Sequence, residues 1–154
     1  MKVFFFFLFF PLVLGAQIIL VDPYLQDATP NSIRIMWETS LGQESIVEYG
    51  TTSNLGESAT GTSTIGYAIS RIHDTKLNNL QADTKYYYRT KTLNAISQIY
   101  DFKTPPSTSS EKSFNIVAMS DMQQDSQHPN VFHDIVNNQL IPFINNKYGN
   151  DIAS

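Results

Sequence analysis

Ser32-Ile33-Arg34-Ile35-Met36-Trp37-Glu38-Thr39 places Ile33, Ile35 and Trp37 on one face and Arg34, Met36 and Glu38 on the other. Successive side chains of an extended chain point to opposite sides, so a period of two describes a half-buried strand. Trp37 is the only tryptophan, and on the inward face of the second strand its ring fills the space between two sheets. Similar stretches follow toward the C-terminus. Val47 and Tyr49 share one face of Glu44–Tyr49, and Gly50 ends that strand. His73, Thr75 and Leu77 alternate with Ile72, Asp74 and Lys76, and Tyr86, Tyr88 and Thr90 alternate with Tyr87, Arg89 and Lys91. A last strand is expected over about Ile96–Lys103. Thr51–Thr64, rich in Gly, Ser and Thr, reads as a loop with at most a weak edge strand.

From Gln17 to Lys103 no 3.6-residue periodicity runs long enough for a helix. Short β-branched and aromatic runs alternate with turn residues at the spacing of a β-sandwich. Leu80-Gln81-Ala82-Asp83-Thr84-Lys85-Tyr86 sets a Leu, a turn and a Tyr at the start of a strand. That resembles the tyrosine corner, in which the phenol oxygen bonds back to the preceding turn. The expected fold is therefore mainly β, a fibronectin type III-like β-sandwich over residues 17–103. Tyr86-Tyr87-Tyr88 reads as a strand with one buried and one exposed aromatic face rather than as a binding platform, and His73 as a satisfied strand residue rather than a ligand.

Composition bounds the function. The chain has 154 residues, enough for one ordinary domain or for a small domain and part of another. With 42% hydrophobic and 16% charged residues a packed core is expected and global disorder is not. A net charge of −4, with no basic run exceeding two residues, lacks a nucleic-acid footprint. The absence of cysteine excludes disulfides, thiolate metal sites and a cysteine nucleophile. At the start, Lys2 precedes an apolar run from Val3 to Leu14, followed by Gly15-Ala16. A positive residue, an apolar core and small residues for cleavage make a secretory signal peptide, expected over residues 1–16. Its 12-residue core falls short of the roughly 20 residues that a spanning helix needs. Export to the periplasm, the cell surface or the medium is expected, without membrane attachment after cleavage.

Residues 104–112, Thr-Pro-Pro-Ser-Thr-Ser-Ser-Glu-Lys, form a polar, proline-led linker. Phe114-Asn115-Ile116-Val117-Ala118-Met119 then reads as a strand buried on both faces, and Ser120–Asp125 as a polar loop. A helix is expected from about His128-Pro129-Asn130, with Phe132, Ile135/Val136, Gln139/Leu140 and Phe143 on its apolar face, until Pro142 ends or kinks it. Strand, acidic loop and helix open an α/β domain, assigned here to residues 113–154 and expected to continue beyond Ser154. Open α/β sheets place ligands at the C-terminal ends of their strands, which makes Asp121 a candidate metal ligand. The competing reading is an ordinary loop or helix-cap aspartate. Asp125, His128 and His133 lie near but form no recognised ligand spacing, and His133 falls mid-helix.

Pro23-Tyr24-Leu25-Gln26, Thr29–Trp37 and Val47-Glu48-Tyr49-Gly50 together resemble the N-terminal domain of purple acid phosphatases. His73–Leu80 and Thr84–Arg89 are similar to that family's later strands, and a short linker there leads into a metallophosphoesterase domain. The resemblance implies phosphate monoester hydrolysis at a dinuclear centre, iron paired with iron, zinc or manganese. It implies that Asp121, in Ser120-Asp121-Met122-Gln123, is the first metal ligand, although the family's flanking glycines are absent. The other ligand motifs do not occur in this chain, so catalysis by these residues alone is not expected. The phosphoester substrate would be a partner of the complete protein only. The alternative is a non-enzymatic, fibronectin type III-like adhesion or spacer module, which leaves a buried strand ending in Asp121 without a purpose.

Overall fold

The computed structural model describes residues 17–111 and 126–148. The leader, the Phe114–Met119 segment and Asp121 lie outside the described residues. Among those residues nine strands make two antiparallel sheets. One has the order β1 (Ile19–Thr29), β2 (Ser32–Thr39), β6 (Arg71–Leu77), β5 (Thr62–Ile65). The other has β4 (Glu57–Thr60), β3 (Ile46–Gly50) and β7 (Lys85–Thr92), with β8 (Ala95–Ile96) and β9 (Tyr100–Lys103) both paired to β7.

The alternation in β2, β6 and β7 is the alternation of burial. Ile33, Ile35 and Trp37 face inward from β2, Leu77 from β6, Val47 and Tyr49 from β3, Tyr86 and Tyr88 from β7, and Phe102 from β9. Between them these side chains build one core from both sheets, which is what sheet-on-sheet packing requires. Aromatic rings dominate its lower half. Phe102 lies 5.6 Å from Tyr86 and 5.7 Å from Tyr88, ring centre to ring centre. The tyrosine corner is present: the Gln81 N–H donates to the Tyr86 hydroxyl at 3.0 Å, so a buried phenol keeps a polar partner.

Two features depart from the expectations above, and a third belongs to the first strand. The Thr51–Thr64 segment holds two strands, β4 against β3 and β5 against β6, so the chain changes sheet at Gly61. A Cβ at Gly61 would lie 2.0 Å from the Asp74 carbonyl oxygen, and only glycine permits so close a crossing. The last strand is split, because the Ser97 hydroxyl accepts the Thr90 N–H at 2.9 Å and interrupts the ladder between β8 and β9. In β1, Asp22-Pro23 falls at a register shift between Val21 and Tyr24, on a sheet edge where the missing proline N–H costs nothing.

The helical segment begins at α1 (Val131–Ile135), directly after the Pro129-Asn130 turn, and ends in α2 (Ile141–Tyr148). Pro142 does not stop it. A π-helical turn over Val136–Leu140 precedes the proline, with the Ile141 N–H donating to the Val136 carbonyl. Widening the turn ahead of the ring relieves the clash that a proline makes with the carbonyl four residues earlier. Val136, Leu140 and Ile144 are half-buried along this segment, whereas Phe132 and Phe143 are exposed.

Candidate functional site

The interior of the sandwich carries an organised polar cluster. His73 lies at the centre of β6, fully buried, with its ring stacked on Trp37 at 4.8 Å and 12°. Its Nε2 is 2.8 Å from the Thr39 hydroxyl and its Nδ1 2.8 Å from the Ser45 hydroxyl. The Thr39 hydroxyl donates to the Leu41 carbonyl at 2.8 Å, so its oxygen is left to accept from Nε2–H. Ser45 then donates to Nδ1, and the ring is a satisfied neutral imidazole. The Trp37 Nε1–H donates to the Thr92 hydroxyl at 3.0 Å. Every ring nitrogen of the pair therefore has a partner, as buried polar groups require.

This arrangement is structural. It leaves His73 no open coordination position and no route to solvent, in agreement with its reading as a satisfied strand residue. Burial, with the Arg71 charge nearby, pushes His73 down to about 4. An unfolded histidine titrates near 6.5, so between these values the unfolded chain binds the extra proton and the folded one refuses it. Stability is complete above about pH 6.5 and is lost as the pH falls toward 4, by about 3 kcal/mol in all. Urea unfolding at pH 7 and pH 4.5 measures this: a His73→Gln variant should lose most of the dependence, and an unchanged slope in that variant would refute the assignment.

Asp121 lies outside the described residues, so its placement is not part of this site. His133 is on α1, with its side chain largely exposed and its Nδ1 3.7 Å from Asp134. His128 precedes that helix. Among the described residues no three His, Asp or Glu side chains converge in a manner that could hold a metal ion. On the outer face, a shallow groove of about 300 Å³ runs beside the β3–β4 hairpin, lined by Glu48, Leu55, Glu57 and Arg89. Arg89 and Glu48 are opposite one another in register, and Arg89 Nε contacts Glu48 Oε2 at 2.5 Å. The hairpin itself depends on Gly50, where a Cβ would sit 2.4 Å from the Leu55 carbonyl oxygen. That close approach gives a physical reason for glycine after Tyr49.

Two antiparallel sheets, a single inter-sheet tryptophan and a tyrosine corner define a fibronectin type III-like β-sandwich. Residues 21–104 match the model of the purple acid phosphatase N-terminal domain, and the chain belongs to that family. No curated protein matches it. Among solved structures it is similar to the long form of the sensor domain of the anti-sigma factor RsgI4 in Pseudobacteroides cellulosolvens, at 19% identity and a TM-score of 0.46. That likeness covers 64% of this chain and 99% of that one. It is also similar to PhoD, at 17% identity and a TM-score of 0.45, covering 56% of this chain and 19% of that one. A computationally redesigned β-sandwich protein matches at 18% identity and a TM-score of 0.40, over 59% of this chain and 97% of that one. Likenesses this distant say nothing of activity.

Proposed function

We propose that this chain is the N-terminal portion of an exported, metal-dependent phosphoesterase of the purple acid phosphatase type. The match of residues 21–104 to that family's N-terminal domain carries the reading. The sandwich contributes no ligand set among its described residues, so its part is to fold independently of the metal and to present the linker that begins at Thr104. Residues 113–154 would then open the metallophosphoesterase domain, with Asp121 as one oxygen donor to a dinuclear centre whose other ligands lie beyond Ser154. Such a centre, when bound, supplies a hydroxide nucleophile near neutral pH and stabilises charge on the phosphoryl group. Asp121 would provide negative charge and a hard oxygen ligand for one of the metals.

The test is enzymatic. The gene product extending past Ser154, recovered from the medium or periplasm, should begin at Gln17 and hydrolyse an aryl phosphate. It should lose that activity to a chelator and regain it with added iron and zinc. Residues 1–154 alone should show no turnover, since an incomplete ligand shell neither binds a metal pair tightly nor lowers the pKa of a bound water. An extended product that is inactive with metal fully loaded, or active after complete metal removal, would refute the proposal and favour an adhesion or spacer module.

A further inference from the structure

Thr104, the residue after β9, is only 2% exposed although it opens a polar, proline-led stretch. Its N–H donates to the Thr84 carbonyl at 3.0 Å. Its hydroxyl donates to the Gln81 carbonyl at 2.6 Å and accepts the Thr84 N–H at 3.0 Å. One residue on, the Pro105 carbonyl accepts the Asp83 N–H at 3.0 Å, and one residue back, Lys103 Nζ lies 3.0 Å from Asp83 Oδ1. Asp83 sits at φ +53, a left-handed turn position that aspartate adopts more readily than most residues. Three successive residues, Lys103 to Pro105, are thus held by the turn that precedes β7.

That turn is the tyrosine corner. Gln81 is fixed from both sides, its N–H on the Tyr86 hydroxyl and its carbonyl under the Thr104 hydroxyl. Its buried neighbour Leu80 donates an N–H to the Asn31 carbonyl at 2.9 Å and so ties the turn to the β1–β2 hairpin. Beyond Thr104 come Pro105 and Pro106, each half-buried. A proline fixes its own φ and drives the residue before it toward an extended conformation, so Thr104 and Pro105 are both restricted. Two prolines in a row carry the direction set at Thr104 about 6 Å further before the chain can turn. Residues 107–111 are exposed, and there the Ser107 carbonyl accepts the Ser110 N–H at 2.8 Å in a turn of its own.

We propose that the tyrosine corner is an exit clamp. It fixes the direction in which the chain leaves the sandwich, with Thr104 as the positioning residue, Pro105-Pro106 as a stiff arm and Ser107 as the first pivot. The bond from Gln81 to the phenol already satisfies the Tyr86 hydroxyl. The bonds to Thr104 and Pro105 lie outside that need, and they join the turn to the departing chain. A domain carried on this arm is aimed by the sandwich and swings only from Ser107 on, whatever that domain is.

The chain has no cysteine, so a pair of spin labels on introduced cysteines reads the clamp in the full chain as a distance distribution. Ile65, exposed and opposite Arg71 in register, is a fixed reference at the far end of the sandwich. The chain enters the fold at that end, with the Ser40 N–H on the Ile18 carbonyl at 3.0 Å. Ile65→Cys paired with Ser107→Cys should give a narrow distribution. Paired with Glu111→Cys, four residues further on, it should spread by about 11 Å. Thr104→Val removes the hydroxyl bonds and should widen the Ser107 distribution about twofold, because the pivot moves back toward β9. Thr104→Ser keeps the hydroxyl and should leave it narrow. Ile65→Cys with Lys76→Cys, both within one sheet, should keep its width in every variant. A parent Ser107 distribution as broad as that of Glu111, or one that Thr104→Val leaves unchanged, would overturn the clamp. So would equal broadening of the Ile65–Lys76 pair, which would mean that the whole sandwich loosens instead.

Discussion

Trp37→Ala should lower the unfolding free energy by about 3–5 kcal/mol, a large part of the 5–15 kcal/mol that holds a domain together. Three losses combine. The indole is 1% exposed, so its removal forfeits a full side chain of burial and leaves a cavity between sheets that the two backbones cannot close. The Thr92 hydroxyl loses the donor that reaches it at 3.0 Å. The His73 ring loses the surface on which it stacks, which loosens its contacts with the Thr39 and Ser45 hydroxyls. Trp37→Phe separates these terms, because it keeps most of the apolar volume and removes only the N–H and part of the stack. It should cost less than half as much. Denaturant unfolding by circular dichroism measures both, and a loss under about 1 kcal/mol for the alanine variant would show that the sheets collapse freely around the gap.

The second large effect concerns Asp121 in the extended gene product, and it rests on the proposed phosphoesterase function. Asp121→Asn keeps the shape of the side chain while removing its charge and one strong oxygen ligand. A metal held partly by that carboxylate should bind far more weakly, and turnover should fall by orders of magnitude with it. Folding should be almost unaffected, so circular dichroism and the unfolding midpoint stay at parent values. As a loop or cap residue, Asp121 would tolerate asparagine well, because both side chains cap helices. Bound metal per chain, measured by atomic absorption, separates the two roles without reference to rate. An asparagine variant with full metal content and parent-like turnover would refute the ligand assignment.

The strands most legible in the sequence are those with one face buried. In β2, β6 and β7 apolar side chains, small hydroxyl side chains and His73 occupy every second position, and those positions are the buried ones. The strands β4 and β5 escape that logic. Glu57-Ser58-Ala59-Thr60 and Thr62-Ser63-Thr64-Ile65 lie at sheet edges with little to bury, and their extended shape comes from pairing with β3 and β6. Pairing partners are distant in sequence and leave no local trace. The break between β8 and β9 turns on a single side chain, the Ser97 hydroxyl that takes the Thr90 N–H seven residues earlier, and no periodicity marks it. Pro142 shows the reverse case, a strong local signal that a π turn absorbs. For the site, the inward position of His73 was readable from alternation. Its two hydroxyl partners were not, because Thr39 and Ser45 stand 34 and 28 residues away.

The opposed entry and exit of the chain have a mechanical consequence. Ile19 pairs with Thr39 at one end of the sandwich and Lys103 with Lys85 at the other; an eight-residue strand is about 26 Å long, so the domain is a strut that holds these two points about that far apart. Tension applied between its two ends pulls β1 along its own axis against β2, and β9 along its axis against β7. Hydrogen bonds in these antiparallel ladders lie across the strands, so such a load shears many bonds together instead of opening them one at a time. The weakest places under load are the register shifts of β1 around Asp22-Pro23, where the ladder is already interrupted. Pulled from its ends, the module should hold until that edge strand slips, and then give way at once.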